Sequence, residues 1–338
     1  MNKNKKFLSV FGIVAVLIFS IILTLGPKLM PDADLPTWQD VFRAVGFFES
    51  DKATQAPLSV HFIDVGQGDS IFIMSEHGNA LVDSGDRGNA PKILDYIKSR
   101  GVYKLDYIFV THYHADHMGS MAEIIEGIEV GQIVLPDVPK KMLPTTRSFE
   151  NLLLAIKKEN VKRVIAKTDD VFRLEDLFIK VVGPVEKYDN MNDLSLVLRI
   201  DYKEISYLLT GDAEAQSENG ILSSKADIKV NILKAGHHGS NTSSGAEFLK
   251  AVSPELVIIT CGRDNSYGHP HREVLRRIDK IGAKVLRTDY FGDIVVYSDG
   301  KSLDYIRLCK VKMKEWAQNQ ATIRYLRFCF FTRFKPAT

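Results

Sequence analysis

Most histidines in this sequence lie in three short segments, and each segment directly follows a predicted strand. Seven of the nine histidines belong to the segments 112–117 (HYHADH), 237–238 (HH) and 269–271 (HPH). Histidines scattered through a core would not show this grouping. Because α/β folds hold ligands in loops at strand ends, the pattern predicts a mixed α/β fold with a polar site at those ends.

The segment 112–117 has the composition of a metal-binding loop. Imidazole and carboxylate groups are the usual ligands of zinc, iron and manganese. His112 and His114 alternate in an extended segment, so their side chains point the same way and can bind one ion. Asp116 and His117 lie at the turn into the next predicted helix, where they can face a second ion. The alternative for this segment is a solvated polar loop.

Further polar groups follow later strands. An apolar strand with the sequence YLLTGD ends at Asp212, whose carboxylate can bridge two cations. His237 and His238 lie between glycines, which let a ligand approach the backbone closely. His269 and His271 precede a predicted helix, and two interpretations stay open for them: contact with a metal or substrate, or a polar loop at a helix start.

The hydrophobic pattern divides the chain into two halves of similar rhythm. Strands interleaved with helices are typical of helices packed over two sheets. The predicted strands are 59–64, 70–74, 80–83, 107–110, 133–135, 161–166, 178–182, 195–201, 205–210, 230–233 and 256–260. The predicted helices are 91–100, 118–127, 149–159, 247–252 and 272–281. Together they are expected to form one domain over residues 58–308.

The N-terminus predicts a membrane anchor. An uncharged, mostly apolar run from Phe7 to Leu25 (residues 7–25) is long enough to cross about 30 Å of hydrocarbon as a helix. Lysines precede it, and the positive-inside bias places residues 1–6 in the cytoplasm and the rest of a single-pass protein outside. The competing interpretation is a cleaved signal peptide, which would give a secreted domain, but no A-x-A-like site follows before Pro27.

The segments that flank the domain are judged by composition. Residues 26–57 contain Pro27, Pro31 and Pro36 and are predicted to be a linker. Residues 309–338 are basic and aromatic, and the alternatives are a second membrane-surface element, an altered reading frame or a disordered tail. A net charge of +2 provides no field that would draw the protein to nucleic acid. Three widely separated cysteines indicate neither disulfide bonds nor a cysteine zinc site.

These segments resemble the metallo-β-lactamase superfamily, and within it the extracellular hydrolase domain of ComEC-type competence proteins. The resemblance covers residues 58–308 and rests on FIDVGQGDS (62–70), LVDSG (81–85), HYHADH (112–117), NDLSLVL (192–198), LTGD (209–212), KAGHHGS (234–240) and YGHPH (267–271). It implies an αββα sandwich with metal ions at one edge of the two sheets. Competence proteins of this type have many membrane spans that form a channel. This sequence predicts one span, so the resemblance does not extend to a DNA channel.

The resemblance also implies two divalent metal ions, zinc or manganese. Their expected ligands are His112, His114, Asp116, His117, Asp212, His237 and His238. His112 and His114 match ligands of one ion, Asp116 and His117 match ligands of the other, and Asp212 matches the carboxylate shared by both.

A late histidine ligand and several supporting groups are implied as well. His238 matches the late histidine ligand, with His237 as its rival. Apart from the resemblance, catalytic roles are assigned to Asp116 and His269, and either His269 or His271 could hold a phosphate oxygen. The supporting acids, which would orient the ligand loops, are Asp64, Asp69 and Asp83.

One position departs from the family pattern. Many members have another histidine between the first metal motif and the shared aspartate, and this sequence has none there. Asn192, Asp193 or Ser195 occupies that neighbourhood. The first ion is therefore expected to bind more weakly, or to be completed by His237 or water.

The sequence thus predicts a membrane-anchored, metal-dependent hydrolase with a phosphodiester substrate, nucleic acid being the first choice. Two cations suit a phosphodiester because they neutralise its developing charge. β-Lactams are disfavoured because the motifs indicate another subfamily. Two alternatives remain: a hydrolase of a phosphocholine-type phosphoester in the cell envelope, and a non-catalytic binding domain stabilised by metal. The sequence does not identify protein partners.

Overall fold

The computed structural model describes Ser20 and residues 56–308. The predicted transmembrane helix at residues 7–25 therefore lies, apart from Ser20, outside the described residues, as do most of the linker and the basic tail. Among the described residues, no helix is long and apolar enough to cross a membrane.

Fifteen strands and eight α-helices make up residues 56–308. The strands are β1 (Leu58–Phe62), β2 (Ile71–Ser75), β3 (Gly78–Val82), β4 (Lys104–Phe109), β5 (Glu129–Pro136), β6 (Lys162–Ala166), β7 (Val171–Leu174), β8 (Leu177–Gly183), β9 (Val197–Tyr202), β10 (Ile205–Leu209), β11 (Ile232–Lys234), β12 (Leu256–Ile259), β13 (Lys284–Arg287), β14 (Asp293–Ser298) and β15 (Leu303–Leu308). The helices are α1 (Ala90–Lys98), α2 (Ala115–Met118), α3 (Met121–Gly127), α4 (Arg147–Lys158), α5 (Ala215–Ser224), α6 (Ala246–Val252), α7 (Arg272–Lys280) and α8 (Thr288–Phe291). Short 3-10 turns occur at Lys140–Met142 and Gly236–Gly239.

The strands form two sheets with related topologies. The first has the order β15-β14-β1-β2-β3-β4-β5-β6 and the second the order β13-β12-β11-β10-β9-β8-β7. In the first sheet, β3 to β6 are parallel and the remaining neighbours are antiparallel. In the second sheet, β10 to β13 are parallel and β7 to β10 are antiparallel. Each sheet therefore has a parallel half, whose strands end at one edge.

The two sheets pack face to face. Apolar side chains of both sheets form one buried cluster, with Phe62 and Ile73 contributed by the first sheet and Tyr207 and Ile258 by the second. Burying apolar area between the sheets is the main favourable term in holding the layers together.

Helices cover the outer faces of both sheets. A second apolar cluster joins the first sheet to α1, α3 and α4, and a third joins the second sheet to α5, α6 and α7. The buried helical residues include Ile93, Ile124, Leu152, Ile221, Leu249 and Ile278. This four-layer arrangement confirms the predicted mixed α/β fold with two sheets.

The prediction of one continuous helix over residues 118–127 is wrong, because the structure has two helices in this region, α2 and α3. Gly119 lies at the break, where a Cβ atom would contact the backbone of Ala115 and Asp86. The Ser120 hydroxyl donates a hydrogen bond to the Asp86 carbonyl over 2.6 Å. Packing against the neighbouring loop thus interrupts a helix that the apolar pattern alone would continue.

Candidate metal centre

Polar residues from both sheets meet where the parallel strands end. In the first sheet, β3 leads to Asp83 and β4 leads to His112. In the second sheet, β10, β11 and β12 lead to Asp212, His237 and Thr260. The topology therefore brings residues far apart in the sequence to a single edge, as the histidine pattern predicts.

One cluster of candidate ligands consists of Asp116, His117, Asp212 and His238, whose ligand atoms all lie within 4.8 Å of one another. His117 Nε2 lies 3.2 Å from Asp212 Oδ1 and 3.3 Å from His238 Nε2. His238 Nε2 lies 3.4 Å from Asp116 Oδ2 and 3.5 Å from Asp212 Oδ1. Two imidazole nitrogens and two carboxylates thus surround a space suited to one cation.

A second cluster consists of His112, His114 and Asp212. His112 Nε2 lies 3.0 Å from His114 Nδ1 and 3.9 Å from Asp212 Oδ2. On the other side, His237 Nε2 lies 3.7 Å from the same Asp212 oxygen. The two oxygens of Asp212 therefore face different clusters, Oδ1 towards the first and Oδ2 towards the second.

The donor set fits divalent cations. Asp212 Oδ1 is buried, and it has no hydrogen-bond partner within the part of the chain that the structure describes. A buried carboxylate oxygen without a hydrogen bond is costly unless a positive charge lies beside it. Here the nearest neighbours are the Nε2 atoms of His117 and His238, which can bind a metal ion in place of a proton.

The charges of the centre are coupled. Burial opposes protonation of His117, but Asp212 and Asp83 outweigh it and raise the pKa of His117 well above its usual range. Burial likewise opposes ionisation of Asp212, but His117 and His238 lower its pKa well below the usual range. Burial, assisted by His117, lowers the pKa of His112 well below the usual range. His112 is therefore neutral and keeps the lone pair that a metal ligand requires.

Comparison with known proteins agrees with this geometry. The family model described as the metallo-β-lactamase superfamily matches residues 63–263. The chain belongs to the metallo-β-lactamase superfamily. The match includes both candidate ligand clusters, since it extends from before His112 to beyond His238.

Relatives with curated names place the chain near competence proteins. ComE operon protein 3 of Bacillus subtilis is 32% identical over 255 residues, which cover 70% of this chain and 32% of that protein. Recombination protein 2 of Haemophilus influenzae is 27% identical over 314 residues, which cover 90% of this chain and 34% of that protein. The chain thus spans about a third of the length of these relatives. The predicted resemblance to competence-type proteins is confirmed.

Among solved structures, the metallo-β-lactamase fold protein YhfI from Bacillus subtilis is similar over 68% of this chain and 96% of that chain. The sequence identity is 12% and the TM-score 0.48.

Asp83 supports the first cluster from behind. Its Oδ2 lies 2.8 Å from His117 Nδ1, so the other ring nitrogen of His117 faces the centre. The same carboxylate accepts hydrogen bonds from the Thr111 backbone N–H and hydroxyl, over 2.8 and 2.7 Å. A carboxylate behind a metal-binding imidazole fixes the ring orientation and raises its basicity. The structure thus places Asp83 where a supporting acid would act.

A buried ion pair supports the same loops. Asp69 and Lys234 are both buried, and Lys234 Nζ lies 2.6 Å from Asp69 Oδ2. Lys234 also donates to the Gly211 carbonyl over 3.0 Å, immediately before Asp212. The Asp69 backbone N–H donates to the Asp116 carbonyl over 3.2 Å. The sequence alone did not predict a role for Lys234, because its partner Asp69 is distant in the sequence.

Thr260 connects Asp69 to His238. The Thr260 hydroxyl donates a short hydrogen bond to Asp69 Oδ1, and the Thr260 carbonyl lies 2.8 Å from His238 Nδ1. That carbonyl therefore accepts the His238 Nδ1–H, which leaves Nε2 to face the first cluster.

Asp64 occupies a different position from Asp69 and Asp83. Its carboxylate accepts a hydrogen bond from the Gly66 N–H over 3.1 Å, within the turn that joins β1 to β2. Its own backbone N–H donates to Asp293 over 2.8 Å. These bonds order the turn. The neighbouring Gly68 packs against the Asp116 carbonyl, with no space there for a Cβ atom.

Glu214 holds the His237 ring in place, and the sequence had not indicated this residue. Its Oε1 lies 3.0 Å from His237 Nδ1 and accepts hydrogen bonds from Asn192 and Thr242 over 3.2 and 2.9 Å. Its Oε2 accepts a hydrogen bond from Asn190 over 2.7 Å. The sequence feature that could have indicated Glu214 is its position two residues after the shared aspartate, Asp212.

Residues 192–195 occupy the region where the resemblance led us to expect a further histidine. Their side chains order the surrounding loops instead. Asp193 accepts hydrogen bonds from the backbone N–H groups of Glu214 and Ser217, both over 3.0 Å. The Ser195 hydroxyl accepts one from the Asp212 N–H over 3.2 Å. His237 Nε2, 3.7 Å from Asp212 Oδ2, remains a candidate to complete the ion at the second cluster, with water as the alternative.

The backbone of the two adjacent histidines is strained. His237 and His238 have φ values of +48° and +55°, in the left-handed region that non-glycine residues rarely adopt. Consecutive residues of this kind cost on the order of 1–3 kcal/mol each and persist where surrounding contacts impose them. The turn directs His237 towards the second cluster and His238 towards the first.

His269 lies beside the ligand clusters. Its ring centroid is 5.5 Å from that of His237 and 6.4 Å from that of His238. Burial, with smaller contributions from His237 and His238, lowers the pKa of His269 to about 4. The ring is therefore neutral at physiological pH. His271 lies further out, where its Nδ1 accepts a hydrogen bond from the Asn241 N–H over 2.9 Å.

Proposed function

We propose that this superfamily hydrolase is a phosphodiesterase that uses two divalent metal ions, zinc or manganese. The observation that carries the proposal is the division of Asp212 between two ligand clusters, with one oxygen towards each. A shared carboxylate holds two cations at the short separation that phosphodiester hydrolysis uses. The ion at the second cluster would be held by His112, His114 and His237 together with the shared Asp212. The other ion would be held by the first cluster.

The residues of the chain would divide the remaining work. Bound cations would make water acidic enough to yield a nucleophile at neutral pH and would neutralise charge on the phosphate. Burial opposes ionisation of Asp116, but His238 and His117 lower its pKa below the usual range, so this partly exposed carboxylate stays ionised and would orient a water molecule by accepting its hydrogen bond. His269, neutral and close to His237, would donate a hydrogen bond to a phosphate oxygen.

The surroundings of the centre favour a polar substrate. The loop after His238 presents Ser240 and Thr242, whose hydroxyls hydrogen bond to each other over 2.9 Å. The Thr242 hydroxyl also donates to Glu214 over 2.9 Å, so this loop provides a polar wall beside the centre. The relatives include a recombination protein, which makes nucleic acid the first polymer to test.

A substrate panel tests the proposal. The purified full-length chain, loaded with manganese or zinc, would be offered bis-p-nitrophenyl phosphate, single-stranded DNA and a chromogenic lactam. We expect hydrolysis of both phosphodiesters, abolished by a chelator and restored by adding metal. Hydrolysis of the lactam alone, with metal confirmed in the protein, would overturn the substrate class. Metal binding without any turnover of a wider phosphoester panel, phosphocholine esters included, would favour a binding domain.

We further propose that residues 7–25 anchor the chain and that the metal domain lies outside the cell membrane. The apolar run and the preceding lysines support this orientation. Protease added to intact wall-free cells that express the chain should remove the domain, whereas a cytoplasmic marker protein should survive. Protection of the domain until the cells are lysed would contradict the orientation. A secreted, shortened chain would indicate a cleaved signal peptide.

A further inference from the structure

We infer that Tyr267 and His269 form a nucleobase-binding subsite beside the metal centre, so that the phosphodiester is a single-stranded nucleic acid. The inference rests on the proposed function and specifies its substrate class. Its basis is a stack of aromatic rings that extends from the candidate metal ligands to the surface.

The stack has a fixed order. His269 is buried beside His237, with ring centroids 5.5 Å apart. Tyr267 lies against His269, with centroids 5.6 Å apart and an angle of 23° between the ring planes. Tyr267 is nevertheless 64% exposed. One face of the phenol ring is therefore supported by the imidazole, and a large part of the ring remains available to a ligand.

The loop that carries the stack is pre-organised. The Asn265 side chain donates to the carbonyls of Gly262 and His269, over 2.9 and 2.7 Å, and accepts from the His269 N–H over 3.0 Å. These three bonds close the loop around Tyr267. A ring held in place in advance loses little conformational entropy on binding.

His269 itself shows an unusual feature. Its Nδ1 is buried and has no hydrogen-bond partner among residues 56–308. Buried polar atoms without partners are few in native proteins, and each needs a specific reason. The ring is thus held by its aromatic neighbours rather than by a hydrogen bond from Nδ1, which is consistent with a stacking role.

The chemistry of this surface favours a base over other ligands. A phosphodiester polymer bound at the metal ions would extend beyond the centre, and Tyr267 lies on one side of it, separated from His237 by the His269 ring. Bases stack on aromatic side chains irrespective of sequence, with about 1–3 kcal/mol per base. The exposed charges of the same segment cancel: two are positive, Arg263 and Arg272, and two are negative, Asp264 and Glu273. Recognition would therefore depend on the ring rather than on a basic patch.

A single strand is required because the faces of bases in a duplex are already stacked on their neighbours. Unstacked bases are the form in which aromatic side chains bind nucleic acid. A duplex would have to open its end before Tyr267 could contribute. The inference thus predicts a preference for single strands that disappears when the ring is removed.

The test compares Tyr267→Ala with Tyr267→Phe and with Tyr103→Ala. Tyr103 is similarly exposed, at 67%, but immediately precedes β4, at the opposite end of that strand from His112. Binding of the metal-loaded full-length chain to a labelled single-stranded oligonucleotide with non-hydrolysable phosphorothioate linkages would be followed by fluorescence anisotropy. We expect Tyr267→Ala to raise Kd by about 5- to 150-fold, which corresponds to the loss of one stacked base. Tyr267→Phe and Tyr103→Ala should bind like the parent protein.

A second probe separates this inference from the proposed function. An abasic oligonucleotide of the same length keeps the phosphates and lacks the bases, so Tyr267→Ala should not change its binding. If Tyr267→Ala and Tyr103→Ala bind the single strand equally, the subsite is refuted, even if the metal-loaded enzyme cleaves it. If binding falls as expected but no phosphodiester is cleaved, the subsite stands and the proposed activity fails.

Discussion

Replacing Asp212 by alanine should abolish tight binding of both metal ions. The two carboxylate oxygens face different ligand clusters, so the substitution removes one ligand from each. Groups that only orient ligands typically change metal affinity by about 10- to 100-fold, and a shared ligand should exceed that range. Titration with manganese and zinc, together with elemental analysis of the full-length chain, measures the effect. Two tightly bound ions per Asp212→Ala chain would contradict the shared role.

Two controls make the result specific. Asp189→Ala removes a carboxylate that is 93% exposed and paired on the surface with Lys141, and it should retain normal metal content. Thermal unfolding provides a second readout, because a ligand that binds the native state at 100 times its Kd adds about 2.7 kcal/mol of stability. We expect metal to stabilise the parent protein and Asp189→Ala, but not Asp212→Ala.

The sequence predicted the location of the centre because strand-end motifs identify its residues locally. The segment 112–117 and the Gly-Asp dipeptide ending at Asp212 could be recognised without knowing the sheet order. The structure brings their side chains together at the ends of parallel strands. The two-sheet fold was predictable for a similar reason, since alternating strands and helices leave few ways to bury their apolar faces.

Residues that hold the ligands in place were harder to predict. Glu214 and Lys234 act through partners that are distant in the sequence, so the sequence did not identify those partners, although Glu214 lies only two residues after the shared aspartate. Helix α5 was also missed, since it is largely polar and contains Gly220, and Asp193 orders its first turn through backbone hydrogen bonds. Long-range contacts of this kind are set by the packing of the whole domain.

Breaking the buried ion pair of Asp69 and Lys234 should cause a large loss of stability. Lys234→Met would leave the Asp69 carboxylate buried without its cation, which typically costs about 3–5 kcal/mol. It would also release the Gly211 carbonyl beside Asp212, so metal affinity should fall by about 10- to 100-fold. Urea unfolding in chelator measures the first effect, and metal titration in native buffer measures the second.

The double variant Asp69→Asn with Lys234→Met distinguishes an uncompensated charge from lost packing. It removes both charges and preserves approximate volume, so it should be more stable than Lys234→Met alone, as expected for coupled buried groups. The matched surface variant Lys141→Met breaks an exposed pair and should change stability by less than about 1 kcal/mol. If Lys234→Met were as mild as Lys141→Met, the pair would not stabilise the centre. If the double variant regained stability but not metal affinity, Lys234 would position Asp212 through the Gly211 carbonyl as well as neutralise Asp69.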